Sequence, residues 1–450
     1  MRTNGLLTCI VLAASLRSTA QMVHQGTGMS TAAAGAEQRQ AIPCDMENMA
    51  SDNKRDTEAI SFIDLLQQRE TSGTDAEPAS TPHEMLMGEK AGWMLMLHGE
   101  IFITDVQQTG PRGRDKLFST NWIMPMARRK LGNGVVTFRT MLSLEPATIS
   151  HRRYPELFQQ GETAFGRPIV DGQHPHDFFM EVAALYDYKL GENTMLSFYA
   201  APMGDPAMGP LAYPHRTSAS ENPMATLGHH LQDSTHILDD VITVGLTHKN
   251  LRIEASGFHG REPDEYRWDL DSGKIDSWSS RVTVNPARNW SGQFSIGQLH
   301  SPEALVPAED LRRMTGSVMY NRPIRDGNWA SLLLWGRNQS LSDGNVGNVY
   351  LLESSLRFHN INNAWTRIES ADRTNELLVG ENPLPTNLTE KYFTRVQSYT
   401  AGYDREVGRI AHVSTAIGGQ ATWYGVPDVL RPSYGDHPVA AAFFVRARLH

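Results

Sequence analysis

At 450 residues, with 20% charged residues and a formal net charge of −9, the chain has no basic surplus with which to hold a nucleic acid. Past the N-terminus it has no run of about 18 apolar residues, which excludes a helical membrane protein. A membrane barrel stays open, because its strands are apolar on one face only.

Taken in chain order, residues 1–20 read as an export signal. Arg2 gives the positive end, 6–16 the apolar stretch, and Ser18, Thr19 and Ala20 the small residues of a cleavage site. Cys9 falls inside it, so Cys44 is the lone thiol of the mature chain and no disulfide is expected within a monomer. Residues 21–90 are rich in Ala, Ser, Thr, Gln, Asp and Glu and read as a mostly disordered periplasmic segment. Within it, Ile60, Phe62, Ile63, Leu65 and Leu66 mark a short amphipathic helix over 59–69, suited to plug a lumen or bind a periplasmic partner.

From Trp93 the texture changes to period-two alternation. Leu251, Ile253 and Ala255 interleave with Arg252, Glu254 and Ser256, and Phe443, Val445 and Ala447 with Phe444, Arg446 and Arg448. Residues 91–450 then divide into about sixteen segments long enough for tilted membrane strands. They start near 92, 115, 134, 177, 193, 238, 250, 277, 289, 311, 327, 347, 362, 391, 408 and 437. Short turns fall at Gly132, Gly191, Lys249, Ala287, Asp326, Asn360 and Val407–Gly408, each at or beside Gly, Asn or Pro as tight turns require. Long loops lie between them, near 107–114, 148–176, 204–237, 261–276, 301–310, 338–346, 375–390 and 425–436. A soluble sandwich has no reason to sort its loops this way. Short periplasmic turns with long outer loops are the habit of a closed antiparallel all-β outer-membrane barrel, here with both termini periplasmic. Trp93, Trp290, Trp329, Trp365, Tyr186 and Tyr188 fall where the periplasmic aromatic girdle belongs.

The polar face carries Arg139, Arg252, Glu254, Arg281, Glu353, Arg357, Arg367, Glu369, Arg395, Arg446 and Arg448, which should point inward, since lipid cannot host them. Mixed signs suggest ion-pair ladders across a narrow lumen rather than a one-sign filter. The chain has 17 His and 19 Met, and many gather in two loops. One ends in His174, Pro175, His176 and Asp177. The other holds Met203, Met208, His215, Met224, His229, His230, Asp233 and His236. Met85, Met87, Met94 and Met96 lie beside His83 and His98. Thioether with imidazole suits copper, and imidazole with carboxylate suits zinc. His174, His176, His229, His230 and His236, with Asp177 and Asp233 as ligands or supporting partners, are the candidate metal residues. Hydrogen bonds that pin the loops are the competing use of the same side chains. Ser234, near Asp233 and His236, is the one nucleophile considered, but no G-x-S-x-G elbow accompanies it, and no enzyme is expected.

His98-Gly99 and the runs 110–115 (GPRGRD), 158–163 (FQQGET), 173–177 (QHPHD), 233–236 (DSTH), 260–264 (GREPD) and 276–279 (DSWS) resemble a family of largely uncharacterised bacterial proteins over residues 80–450. The resemblance implies an exported β-barrel and an association with copper or silver handling genes, with no catalytic or binding residue to transfer. The expectation is thus an outer-membrane barrel supporting metal homeostasis or tolerance, copper first among the ions and no other cofactor implied. The alternatives are a porin-like channel with a charged lumen and no metal role, or a structural plugged barrel.

Overall fold

The computed structural model describes residues 61–379 and 393–449. The expected export signal and Cys44 lie outside them. Among the described residues there are nineteen strands. They are β1 Leu86–Lys90, β2 Trp93–Gln108, β3 Lys116–Leu131, β4 Gly134–Leu142, β5 Tyr154–Ala164, β6 Arg167–Gln173, β7 Phe179–Gly191, β8 Thr194–Gly204, β9 Leu238–His248 and β10 Leu251–Phe258. They continue with β11 Ser277–Ala287, β12 Trp290–Leu299, β13 Leu311–Ile324, β14 Gly327–Ser340, β15 Val346–Phe358, β16 Asn362–Thr374, β17 Phe393–Ile410, β18 Val413–Gly425 and β19 Val439–Leu449. Five short helices accompany them: α1 Phe62–Gln67, α2 Glu145–Thr148, α3 His229–Gln232, α4 Asn375–Val379 and α5 Arg431–Tyr434.

Sixteen of these strands form a closed antiparallel barrel. Each pairs with its neighbour in sequence, β5 and β6 apart, and β19 closes the ring on β2 from Ala440↔Gln108 to Leu449↔Gly99. The short β1 pairs with the start of β2, below the point where β19 ends. Closure leaves no unpaired wall edge, which is what lets a sheet sit in lipid.

Alternation sorts each strand into two faces. Ile101, Ile103, Phe198, Ile242, Val244, Ile253, Phe294, Leu333, Ile368, Ile417 and Phe443 all stand exposed on the outside. An apolar belt of that extent is foreign to a soluble surface and fits the bilayer. The wall is that of a membrane-spanning β-barrel. Tyr320 sits between Trp290 and Trp329, tilted to the first at 4.6 Å and edge-on to the second at 5.4 Å, on the rim at the short-turn end.

Four expectations are corrected. Trp365 does not join that girdle: it is buried inside, with its indole N–H donating to Gln420 at 3.1 Å. Gly402, its cross-strand partner, makes the room, since a Cβ there would lie 2.2 Å from the ring. Arg395 faces outward and pairs with Asp372 at 2.8 Å, because the even-numbered residues of β17 take the inner face. Gly408 is not a turn but sits at a bulge, and β17 runs on to Ile410, with the reversal at Ala411 in a left-handed conformation. Residues 61–85 are not disordered: they fold into the barrel.

That last segment is one of three that fill the lumen. Ser61 caps α1 by accepting from the Asp64 N–H, and the helix buries Phe62, Ile63, Leu65 and Leu66. The chain then crosses the interior, giving backbone carbonyls of Gly73 and Thr71 to Arg139 of β4, with Ser80 donating to the Asn321 carbonyl of β13 at 2.8 Å. The second segment is the 143–178 connection, whose β5–β6 hairpin pairs only with itself. Leu157 and Phe158 pack with Val349, Ala371 and Val396 of the inner wall. The third is 205–237. It lies against Gly336 of β14 so closely that a Cβ there would fall 2.3 Å from the Leu231 carbonyl oxygen.

Ion pairs sew these segments to the wall. Glu353 of β15 accepts from Arg216 at 2.7 Å and from Ser218 at 3.0 Å, and Arg367 lies 3.5 Å away. Arg281 of β11 pairs with Glu254 at 3.0 Å and reaches Asp75 at 3.4 Å. Arg139 and Glu181 pair with both side chains fully buried. Buried pairs of this kind add little net stability but strongly penalise the loss of one partner, so they fix where each segment sits.

Candidate functional site

The site lies where the second and third segments meet. After β6 the chain runs extended through His174, Pro175 and His176, held by Pro175, which locks its own φ and bars its predecessor from helix. His174 Nδ1 donates to the Pro175 carbonyl at 2.9 Å, and its Nε2 lies 2.9 Å from Glu162 of β5. On the third segment, α3 is a single turn carrying His229 and His230, opened by the His229 N–H donating to the Thr226 carbonyl. His229 Nδ1 lies 2.7 Å from Asp233, one turn on, and His236 Nδ1 lies 2.7 Å from the Asp233 carbonyl.

The five histidines named from sequence converge. Ring centroids are 5.2 Å apart for His174–His230, 5.1 Å for His229–His230, 5.2 Å for His229–His236 and 5.4 Å for His176–His236. All five are buried. Burial pushes His174 down to about 4, holds His230 and His236 well below the usual imidazole range, and outweighs the pull of Asp233 on His229. These four rings are neutral at neutral pH. Burial works to raise Asp233, but Arg216 and the hydrogen bond from His229 hold it below the ordinary carboxylate range.

The rings differ in how they are used. His176 is fully engaged, with Nδ1 3.0 Å from Glu145 and Nε2 3.3 Å from the Tyr213 hydroxyl. His229 Nε2, His236 Nε2 and both nitrogens of His230 are buried without a hydrogen-bond partner. Asp177 turns away from the rings to Arg267, at 3.0 Å. It pairs with a cation and does not join the histidines. Asp233 orients His229 and holds Arg216. Glu162, which lies beside His174 and His230, has no mark in the sequence as a partner, because its side chain reaches the site through a left-handed backbone at φ 57°. Ser234 bonds to Glu262 and Arg313, not to His236.

The methionines form a second cluster. Met96, Met124, Met126, Met141, Met180 and Met203 pack together with Met85 at its margin, and the Met141 sulfur lies 3.1 Å from His215 Nε2. Met87 and Met94 stand outside. The His215 ring lies 4.6 Å from Trp122 and 6.1 Å from His98. All three line a vestibule of about 530 Å³ that reaches the short-turn end at Arg325 and Asn360. A cavity of about 30 Å³, bounded by Trp122, Pro214, His176 and Tyr213, continues from it toward the histidines. At the loop end, Arg112, Arg114 and Arg153 edge a cavity of about 330 Å³.

Wall, closure and turn placement together define a closed sixteen-strand antiparallel membrane barrel. An anion-selective porin from Comamonas acidovorans has a similar fold, with a TM-score of 0.50 at 11% identity over 79% of this chain and 100% of that one. OmpF of Salmonella typhi, solved with daunomycin, gives a TM-score of 0.50 at 9% identity over 81% and 100%. At such identities the likeness is one of fold. No protein-family model matches the chain, and no curated protein sequence is similar to it.

Proposed function

We propose that the protein is a restricted channel: a porin-type wall whose lumen is closed to bulk solute by its own inserted segments. The contrast in cavity size carries this reading. Vestibules of about 530 and 330 Å³ lie at the two ends, while two cavities between them, lined by described residues of the inserted segments and the wall, measure about 20 and 30 Å³. A space of that size holds about one water molecule. Planar-bilayer recording tests it. The intact protein is expected to show little steady conductance, and a variant lacking residues 61–82 a several-fold larger one. A large steady conductance from the intact protein refutes the reading.

A second reading is favoured by the meeting of the histidines: the barrel handles transition-metal ions, with copper the ion its sequence resemblance suggests. Saturable metal binding by the purified protein, and lowered metal tolerance of cells lacking it, are the expected results. A protein that binds no copper or zinc removes this reading and leaves the channel intact.

A further inference from the structure

We propose that Glu162, His174 and His230 hold a single divalent transition-metal ion of the zinc or copper(II) class, buried between the second and third inserted segments. The proposal rests on the metal-handling reading and names its site.

The three side chains converge. One ligand atom from each of the three residues lies within 4.8 Å of the other two. Such a set can close on one ion at ordinary metal–nitrogen and metal–oxygen lengths of about 2.0–2.2 Å with small side-chain shifts. The ligands come from separate elements: β5, the extended link after β6, and α3. An ion there would tie the segments together.

The protons on His174 are fixed by its partners. A carbonyl oxygen can only accept, so His174 Nδ1 carries a hydrogen for Pro175. In the neutral ring, Nε2 then presents a lone pair, and it faces Glu162 Oε1 at 2.9 Å. Two lone pairs at that distance repel unless a cation lies between them. Fixing one ring nitrogen on a backbone carbonyl is also how proteins orient a metal-bound histidine. The other Glu162 oxygen is taken by Arg267, leaving a one-oxygen ligand with its charge partly balanced.

His230 is left unpaired: it buries both ring nitrogens with no hydrogen-bond partner. A buried polar atom without a partner is costly, and Glu262, 3.9 Å from His230 Nδ1, is too far to hydrogen-bond, so a ring with two such atoms calls for a ligand. The backbone is shaped around this ring: a Cβ on Gly161 would lie 2.4 Å from it, and Gly161 adopts φ +145°. His229 stands next to both histidines, with Nδ1 held by Asp233 and Nε2 unpartnered. It is the nearest imidazole for a fourth position. Two imidazoles with a carboxylate suit a divalent ion. The thioether cluster around Met141 suits copper(I), and it is a separate place in the barrel.

The test uses the full chain, purified in detergent, titrated with cobalt(II), zinc(II) and copper(II) as separate probes. One equivalent is expected to bind, with visible cobalt absorption of a low-coordinate site. Glu162→Gln, His174→Asn and His230→Asn should each weaken binding at least about tenfold, since even outer-shell changes cost about 10–100-fold. His300→Asn, at the exposed loop end, should bind as the parent does. X-ray absorption of the zinc form needs no variant and should show two or three imidazoles with oxygen and no sulfur. Full binding by all three variants, or a sulfur-rich shell, overturns this site while leaving metal handling in place. No binding by the parent protein overturns both. Heat-modifiable gel mobility separates lost ligands from lost folding, and Gly161→Ala, which crowds the ring without removing a ligand, should weaken binding as well.

Discussion

Replacing Glu353 with Leu is the most direct probe of how the third segment is held. Glu353 receives Arg216 at 2.7 Å and Ser218 at 3.0 Å, with Arg367 3.5 Å away, and both arginines are buried. After the change Arg216 keeps Asp233 and the Leu211 carbonyl, and Arg367 keeps the carbonyls of Met224 and Ala225. Breaking a buried pair by removing one partner costs about 3–5 kcal/mol. At 1.4 kcal/mol per tenfold, that raises the undocked fraction of residues 205–237 by about 100- to 4,000-fold. The wall itself keeps every strand pairing. The assay is thermolysin cleavage of the folded protein within 205–237, read alongside bilayer conductance. Cleavage should accelerate and conductance rise together. Adding Arg216→Met to Glu353→Leu should recover only part of the loss, because it removes one stranded cation but takes from Asp233 its own partner. If the single variant resists cleavage as the parent does, the ion pairs do not hold the loop.

Three further outcomes follow from the wall and the first segment. Leu333→Arg puts a charge on the lipid face and should cost about 2–4 kcal/mol near the mid-plane, measured by urea unfolding in bilayers. Gly336→Ala forces a Cβ against the Leu231 carbonyl and should cost about 1–3 kcal/mol, seen as faster proteolysis of the third segment with unchanged barrel mobility on gels. Insertion of residues 61–85 should weaken as pH rises. Burial pushes the Glu77 carboxyl up to about 7 from its ordinary 4.5 and raises Asp75 as well, so these acids favour insertion while protonated. His83 is raised by its hydrogen bond to Glu70 against the opposing effect of burial, and its support is likewise lost on deprotonation. Native-state proteolysis of the segment should therefore be slow near pH 5 and faster at pH 8. Glu77→Gln should flatten that dependence, and a segment equally protected at both pH values contradicts it.

The wall was legible because each strand repeats a local rule: apolar outside, small or charged inside, with a tight turn at one end. The errors come where the rule is not local. Arg395 looks like every inward arginine until its register with Asp372 is known. Trp365 looks like a rim aromatic until Gly402 is seen to open an interior place for it. Gly408 is a turn residue by type, but its extra residue is absorbed as a bulge. The histidines could be picked out by density on two loops, although nothing in their spacing shows that the loops fold inward and meet. Glu162 and Gly161 were hidden for the same reason, since their roles depend on backbone conformations that the residue pattern does not disclose. The first segment reads as disordered because its apolar residues are few. It is ordered because the wall supplies its partners: Arg139, Arg281 and Asn321.

Those partners also set a timetable for assembly. Ser80 and Asn321 are 241 residues apart, and Thr74 and Arg281 are 207 apart. Residues 61–85 leave the ribosome ahead of every strand of the wall, yet the groups that receive them exist only once β11 and β13 stand in a closed ring. Contacts so remote in sequence are slow to form. The earliest described residues to be made are thus among the last to find their place. An assembly intermediate would be a finished ring with an open bore and a tail still on the near side of the membrane.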